Sequence, residues 1–200
     1  MTAQLKFFED TKRQPAIPGL RYIASYITQQ EHDVLLEQID RSPWLSDLKR
    51  RVQHYGYKYN YKARTIDQAA YLGSLPGWLG SLCDKLLADG IFRTRPDQVI
   101  INEYMPGQGI SAHIDCTPCF RDIIVSLSLG SGCIMELSNP KTAEKQEIQL
   151  KSRSIVVLAD EARYVWQHAI PARKFDVING VKTARTRRVS LTFRNVILEN

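Results

Sequence analysis

The stretch VIINEYMPGQGISAHID, residues 99–115, decides how the rest of the chain is read. Two segments of strand character, 98–104 and 109–115, flank the turn pair Pro106-Gly107. Side chains in an extended strand repeat with period two, so His113 and Asp115 project from one face. One imidazole and one carboxylate are two parts of a 2-His-1-carboxylate site, which suits Fe(II) and leaves coordination positions open. His168, in the run YVWQH on another strand-like segment, can supply the second imidazole. Further on, RRVSLTFR places Arg188 and Arg194 on the period-two pattern of a late strand, and an arginine fork is the natural partner of a co-substrate carboxylate. A His-x-Asp pair alone is common structural chemistry. The ordered set of pair, distant histidine and arginine strand is what points to a metal centre.

Beyond Asp97 the strand period persists. Candidate strands cover 98–104, 109–115, 121–129, 132–137, 146–150, 154–159, 164–169 and 187–195, with Gly130-Ser131-Gly132 and Asn139-Pro140 as punctuation. Many short strands in succession predict an α+β, mainly β fold with a double-stranded β-helix (jelly-roll) core over 98–197, not a parallel α/β sheet.

Residues 1–97 read differently. Residues 5–14 are mixed and suggest at most an edge strand, while PGLRYIASYI, 18–27, reads as a turn followed by a strand. Thr28 stands three residues before Glu31, a capping-box signature, and Val34, Leu35 and Ile39 follow on one face of a helix over 29–40. Trp78, Leu79, Leu82, Cys83, Leu86 and Leu87 carry helical spacing and Gly90 supplies a stop. These two helices are expected to buttress one face of the β core, within a single domain over 1–200 that has no internal repeat.

Between the helices lies the densest aromatic and basic stretch: Lys49, Arg50 and Arg51, then HYGYKYNYK. Period two would put Tyr55, Tyr57, Tyr59 and Tyr61 on one side of a strand with Lys58 and Lys62 opposite, and Gly56 permits a bulge or close approach. One reading is an amphipathic hairpin packing its tyrosines on the core. The other is a flap that stacks unpaired bases and holds the phosphate backbone.

The net charge of +6 and pI near 9.2 permit attraction to a polyanion without requiring it. The first residues carry scattered charges and no apolar leader core, and no run approaches the length of a membrane-spanning helix, so a soluble, cytoplasmic, monomeric protein with no membrane partner is expected. Cys83, Cys116, Cys119 and Cys133 are too irregular for a secreted disulfide framework, and reduced thiols are expected. Cys116-Thr-Pro-Cys119 has redox or zinc spacing directly after Asp115, but no second pair exists for zinc; the plain alternative is a turn set by Pro118. Trp166 is a pocket-lining or packing aromatic, and Arg185 and Arg187 are expected in solvent.

The motifs N-x-Y at Asn102 and Tyr104, P-G-Q-G at 106–109, H-x-D at 113–115, the distal His168 and R-x-S-x-T-F-R from Arg188 together resemble the AlkB family of Fe(II)/2-oxoglutarate-dependent dioxygenases, over roughly Arg50 to Val196. RRVQHYGYKYNY, PGQGISAHID, IVSLSLGS, RYVWQH and RKFD look most similar to the branch that hydroxylates a wobble-uridine modification in transfer RNA. The resemblance implies that His113, Asp115 and His168 hold iron and act in catalysis. It implies that Asn102 and Tyr104 hydrogen-bond 2-oxoglutarate, that Arg188 pairs with its distal carboxylate, that Arg194 lies near its chelating end, and that Ser190 is a further co-substrate contact. Dioxygen would complete the set. Arg51, Tyr55, Tyr57, Tyr59 and Thr117 fall where substrate would be read. Two departures stand out. The repair enzymes carry an acidic residue at the place of Thr117, and their flap carries a tryptophan that this one lacks.

The implied reaction is oxidative decarboxylation of 2-oxoglutarate to succinate coupled to hydroxylation of a substrate C–H bond. On an N-methyl group the hydroxylated product loses formaldehyde; on a methylene not bonded to nitrogen the hydroxyl stays. A base must leave its stack to enter such a pocket, which favours RNA or single-stranded DNA. The competing expectations are the same chemistry on a protein or small molecule, and a non-catalytic nucleic-acid-binding module.

Overall fold

The computed structural model describes residues 16–46 and 49–198, so the edge strand considered over 5–14 lies outside the described residues. Twelve strands and three helices follow in order: β1 (Leu20–Ile23), α1 (Gln29–Arg41), β2 (Val52–Tyr55), α2 (Gly77–Ala88), β3 (Gln98–Tyr104), β4 (Ile110–His113), β5 (Ile124–Gly130), β6 (Cys133–Ser138), β7 (Lys145–Leu150), β8 (Ile155–Leu158), α3 (Asp160–Tyr164), β9 (Gln167–Ile170), β10 (Phe175–Ile178), β11 (Val181–Ala184) and β12 (Arg188–Arg194). A six-stranded sheet runs β1-β8-β5-β12-β3-β2 and a four-stranded sheet runs β4-β9-β6-β7. Their strands pair antiparallel throughout, giving the expected mainly β jelly roll.

The pleat of the larger sheet divides its residues between two jobs. Val99 and Ile101 of β3, Val125, Leu127 and Leu129 of β5, Ile155 and Val157 of β8, and Val189, Leu191 and Phe193 of β12 face one way. They pack under Leu35 and Ile39 of α1 and Leu79, Leu82, Cys83 and Leu86 of α2. The alternate residues, among them Asn102, Tyr104, Ser126, Arg188, Ser190 and Arg194, line a cavity between the sheets. Each fully buried leucine or isoleucine of the helix-covered face contributes about 1.5–3 kcal/mol. The helices thus stiffen, from behind, the strands that carry the polar groups.

Helix α1 begins with the predicted capping box: the Thr28 hydroxyl accepts from the Glu31 amide, and the Glu31 carboxylate accepts from the Thr28 amide. Such a cap is worth about 1 kcal/mol. The strand expected from 164 starts at Gln167, because residues 160–164 form α3, whose Ala162 and Arg163 turn inward. The β10–β11 hairpin was not foreseen as strand. Asn179 and Gly180 both sit at positive φ at its tip, 53° and 79°, as a two-residue hairpin turn of this twist requires.

Arg185 is not in solvent. It is 8% exposed and grips Asp176 with two guanidinium nitrogens at 2.6 and 2.7 Å. Arg187 likewise pairs with Glu103 and Asp40. Each arginine sits where a carboxylate from another strand or helix reaches it, which a local basic run does not disclose. Trp166 is buried at 4% in the core between the sheets, a packing residue. Among the described residues no helix is long and apolar enough to cross a membrane.

Candidate active site

Pairing of β4 with β9 sets His113 directly opposite His168, with ring centroids 4.3 Å apart. Asp115 follows just beyond β4, and its Oδ2 lies 3.9 Å from His168 Nε2. His113 Nδ1 is 2.8 Å from the Ser111 carbonyl oxygen; a proton on Nδ1 donates there and leaves Nε2 as a free donor of electrons. Burial, opposed by Asp115, pushes His168 down to about 4, so its imidazole is neutral near pH 7, the form that ligates a metal. Burial would raise the Asp115 carboxyl, yet Arg194, His168, His113 and Arg163 together hold it below the ordinary carboxylate range.

Among the described residues no group of three His, Cys, Asp or Glu stands closed around a metal position. The Asp115 carboxylate is turned to Arg194, whose Nη2 donates to Oδ1 at 2.8 Å. The donor set, two imidazoles and one ionised carboxylate on adjacent backbone, still fits divalent iron in chemistry.

The triad opens into a cavity of about 560 Å³. Asn102, Tyr104, Arg188, Ser190 and Arg194 all line it. Arg188 is 4% exposed; its Nη2 donates to Ser128 Oγ at 2.9 Å, while its Nε has no partner among the described residues. A buried guanidinium N–H without an acceptor is costly. Arg188 lines the cavity, where its guanidinium suits the carboxylate of an organic acid. Ser190 Oγ pairs with Ser126 Oγ at 2.8 Å. Arg50, which the sequence did not single out for the pocket, donates from Nε to Asn102 Oδ1 at 2.8 Å. That bond occupies the Asn102 amide oxygen and leaves its N–H₂ as the group able to donate.

The flap is not one continuous strand. β2 ends at Tyr55 because Gly56 takes φ +78°, and a Cβ there would meet the Asp97 carbonyl oxygen at 1.9 Å. The four tyrosines therefore part company. Tyr55 packs edge-on against Trp78 of α2, and Tyr57 pairs with Tyr71, with ring centroids 5.5 and 5.0 Å apart respectively. Neither reaches the cavity. Tyr59 does, together with Tyr61 and Arg64, two residues of the same stretch not singled out as substrate contacts. Arg51 turns away to Glu103, at 2.6 and 2.7 Å, and Thr117 is exposed outside the lining. Tyr61, Arg50 and Arg64 all belong to the aromatic and basic stretch over 49–64 that the sequence offers as a nucleic-acid flap, without singling them out for the pocket.

The loop after Asp115 is clamped. Arg163, 2% exposed, donates to the carbonyl oxygens of Asp115, Cys116, Phe120 and Arg121 over 2.9–3.3 Å. Cys116 and Cys119 are joined as a disulfide, in place of the expected reduced thiols, since this clamped turn brings their Cα atoms to 5.3 Å. Both Sγ atoms rest against the Arg64 carbonyl oxygen, at 3.2 and 3.3 Å. Cys83 and Cys133 are free and buried.

Two facing imidazoles, an adjacent carboxylate and inward arginines in a jelly roll are an oxygenase arrangement, and the comparisons agree. The model of the 2OG-Fe(II) oxygenase superfamily matches residues 19–194. An uncharacterised protein, L905, of Acanthamoeba polyphaga mimivirus is 41% identical, over 94% of this chain and 90% of its own length. The mouse tRNA (carboxymethyluridine(34)-5-O)-methyltransferase ALKBH8 is 38% identical over 90% of this chain, but the match spans only 30% of that protein. The solved structure of OsALKBH1 superposes with a TM-score of 0.68 at 17% identity, covering 91% of this chain and 99% of that one. The chain belongs to the 2OG-Fe(II) oxygenase superfamily, and within it to the AlkB family. It is a dioxygenase whose cofactors are Fe(II), 2-oxoglutarate and dioxygen.

Proposed function

We propose that this dioxygenase oxidises a modified base in nucleic acid, presented as RNA or a single strand, with hydroxylation of a transfer-RNA wobble-uridine modification as the preferred reaction. The observation that carries this reading is the shared cavity: Tyr59 and Tyr61 of the flap wall the same space as His113, Asp115 and His168. Aromatic faces beside an oxidation centre suit a base taken out of its stack. Asp115 is the sole carboxylate lining the cavity among the described residues, and Thr117 stands outside it. No second carboxylate is there to accept from an exocyclic amine, which disfavours methylated adenine or cytosine and favours a uridine. The mouse relative, over the part this chain matches, adds support from a transfer-RNA protein.

In this reading His113, Asp115 and His168 hold Fe(II), Arg188 takes the distal carboxylate of 2-oxoglutarate, and Arg194 with Asn102, Tyr104 and Ser190 positions the rest. When bound, iron and co-substrate supply oxidation of a C–H bond by dioxygen, coupled to loss of carbon dioxide from 2-oxoglutarate. The chain's own work is to keep the His168 imidazole neutral, order the carboxylate, and exclude bulk water with Tyr59, Tyr61 and Phe120.

The test is 2-oxoglutarate turnover to succinate in the presence of total transfer RNA and methylated DNA and RNA oligonucleotides, followed by mass spectrometry of the nucleosides. A gain of one oxygen on a wobble uridine is expected. Formaldehyde release would establish demethylation in its place, and turnover with every nucleoside unchanged would defeat the nucleic-acid reading. His113→Ala should abolish turnover while leaving the circular dichroism spectrum intact.

A further inference from the structure

The cavity holds more positive charge than its iron and co-substrate chemistry consumes. Its lining contains four arginines, Arg50, Arg64, Arg188 and Arg194, and one carboxylate, Asp115. Arg194 is committed to Asp115 at 2.8 Å, and Arg188 is the buried group suited to the co-substrate. Arg50 and Arg64 remain. Arg50 spends only Nε, on Asn102, and lies over the Tyr104 ring at 5.7 Å; its terminal amino groups carry no hydrogen bond among the described residues. The Arg64 guanidinium has no acceptor among the described residues at all.

Arg64 is exposed, but its backbone is held in place. It sits at φ +56°, a conformation that costs a non-glycine residue and persists only where the surroundings impose it. They do so from several sides. The Arg64 amide donates to the Asn60 carbonyl at 2.7 Å, and Asn60 bridges Thr65. The Asn60 side-chain oxygen accepts from the amides of Lys62 and Ala63. The Arg64 carbonyl rests on the Cys116 and Cys119 sulfurs, in the very loop that carries Asp115. The flap turn thereby packs on the loop that carries Asp115, and Arg64 lines the cavity with Tyr59 and Tyr61.

We infer that Arg64 and Arg50 form an anion subsite at the mouth of the cavity, which reads a carboxylate or phosphate group of the substrate. Two guanidinium groups with open N–H donors lining one cavity bind planar or tetrahedral oxyanions through charge-assisted hydrogen bonds. The subsite rests on the nucleic-acid reading above and narrows it. The group it takes is either an acidic substituent on the target base or a phosphate flanking that base.

The experiment compares transfer-RNA anticodon stem-loops whose target uridine carries a carboxymethyl group, its methyl ester, or no substituent, with wild type, Arg64→Gln, Arg64→Lys and Arg50→Gln. Dissociation constants by fluorescence anisotropy and kcat/KM for oxidation are measured across salt concentrations. If the anion is on the base, wild type prefers the carboxylate over the ester by about 10- to 100-fold. Each glutamine substitution then brings that ratio towards one, and Arg64→Lys recovers part of it. If the anion is a phosphate, wild type shows no such preference, and each glutamine substitution weakens all three RNAs alike and lowers the slope of log affinity against log salt by about 1. Both outcomes support the subsite. Active wild type with ratios and salt slopes unmoved by the substitutions overturns the subsite alone. Wild type that neither binds nor oxidises any RNA overturns the nucleic-acid reading, and the subsite with it.

Discussion

Arg194 and Asp115, separated by most of the catalytic half of the chain, meet in a buried ion pair at 2.8 Å, with side chains 9% and 8% exposed. The arginine comes from the end of β12 in the larger sheet and the aspartate from just past β4 in the smaller one. The bond therefore spans the two layers at the point where His113, Asp115 and His168 gather. Gln98 accepts from the other terminal nitrogen of Arg194 at 3.2 Å and holds the guanidinium in this direction.

Removing that bond should loosen the carboxylate and not the fold. Arg194→Gln is expected to weaken Fe(II) binding by about 10-fold, the lower end for loss of a group that orients a metal ligand. Titration with Co(II) as a spectroscopic substitute checks this, and an unchanged affinity would show that Asp115 is ordered by the backbone alone.

Arg188 should act on the co-substrate. Losing a buried charge-assisted bond to a carboxylate costs about 1.5–3 kcal/mol, so Arg188→Gln is expected to raise KM for 2-oxoglutarate by about 10- to 100-fold. Metal affinity should be unaltered. A fall in kcat with unchanged KM would remove Arg188 from this role.

Glu103 anchors a network on the outer edge, where Arg51 and Arg187 converge on a carboxylate that is 3% exposed. The Arg51 bond, outweighing burial and reinforced by Arg187, holds the Glu103 carboxyl below its ordinary 4.5. A depressed folded-state value stabilises the fold above the unfolded value, and that stabilisation is lost as pH falls through the folded one. Wild type should thus lose melting temperature steeply below about pH 4.5, whereas Glu103→Gln, less stable at pH 7 by about 2 kcal/mol with its half-exposed partner discounted, should show a flatter acid limb. Parallel melting curves for the two proteins would refute it.

Gly56 is the pivot of the flap. Its positive φ and the Asp97 carbonyl at 1.9 Å from any Cβ leave no room for a side chain. Gly56→Ala should cost about 3 kcal/mol through strain and displaced backbone. Urea denaturation measures the loss. A change under about 0.5 kcal/mol, the scale of an ordinary surface substitution, would mean that the flap tolerates another path.

Much of the architecture was legible because it is written locally. The capping box at Thr28 and Glu31 fixed the start of α1, and the apolar alternation of 98–104 gave β3 with its observed ends. The gathering of His113, Asp115 and His168 was legible only as a pattern of residue types, since the β4–β9 register that sets the histidines face to face is a long-range pairing. The tyrosine alternation misled because a single left-handed glycine resets the phase of the strand. Arg163 could not be foreseen: a buried arginine bonding to backbone carbonyls depends on groups distant in the chain.

The grip of Arg163 has a consequence for how such a pocket can diversify. It holds the loop from Asp115 to Arg121 by carbonyl oxygens, which every amino acid offers, and by no side chain of that loop. The exposed residues Thr117 and Pro118 can therefore change without dislodging the Asp115 carboxylate, while Cys116 and Cys119 stay joined in their disulfide. The backbone clamp thus separates the position of the carboxylate from the identity of the exposed residues that follow it.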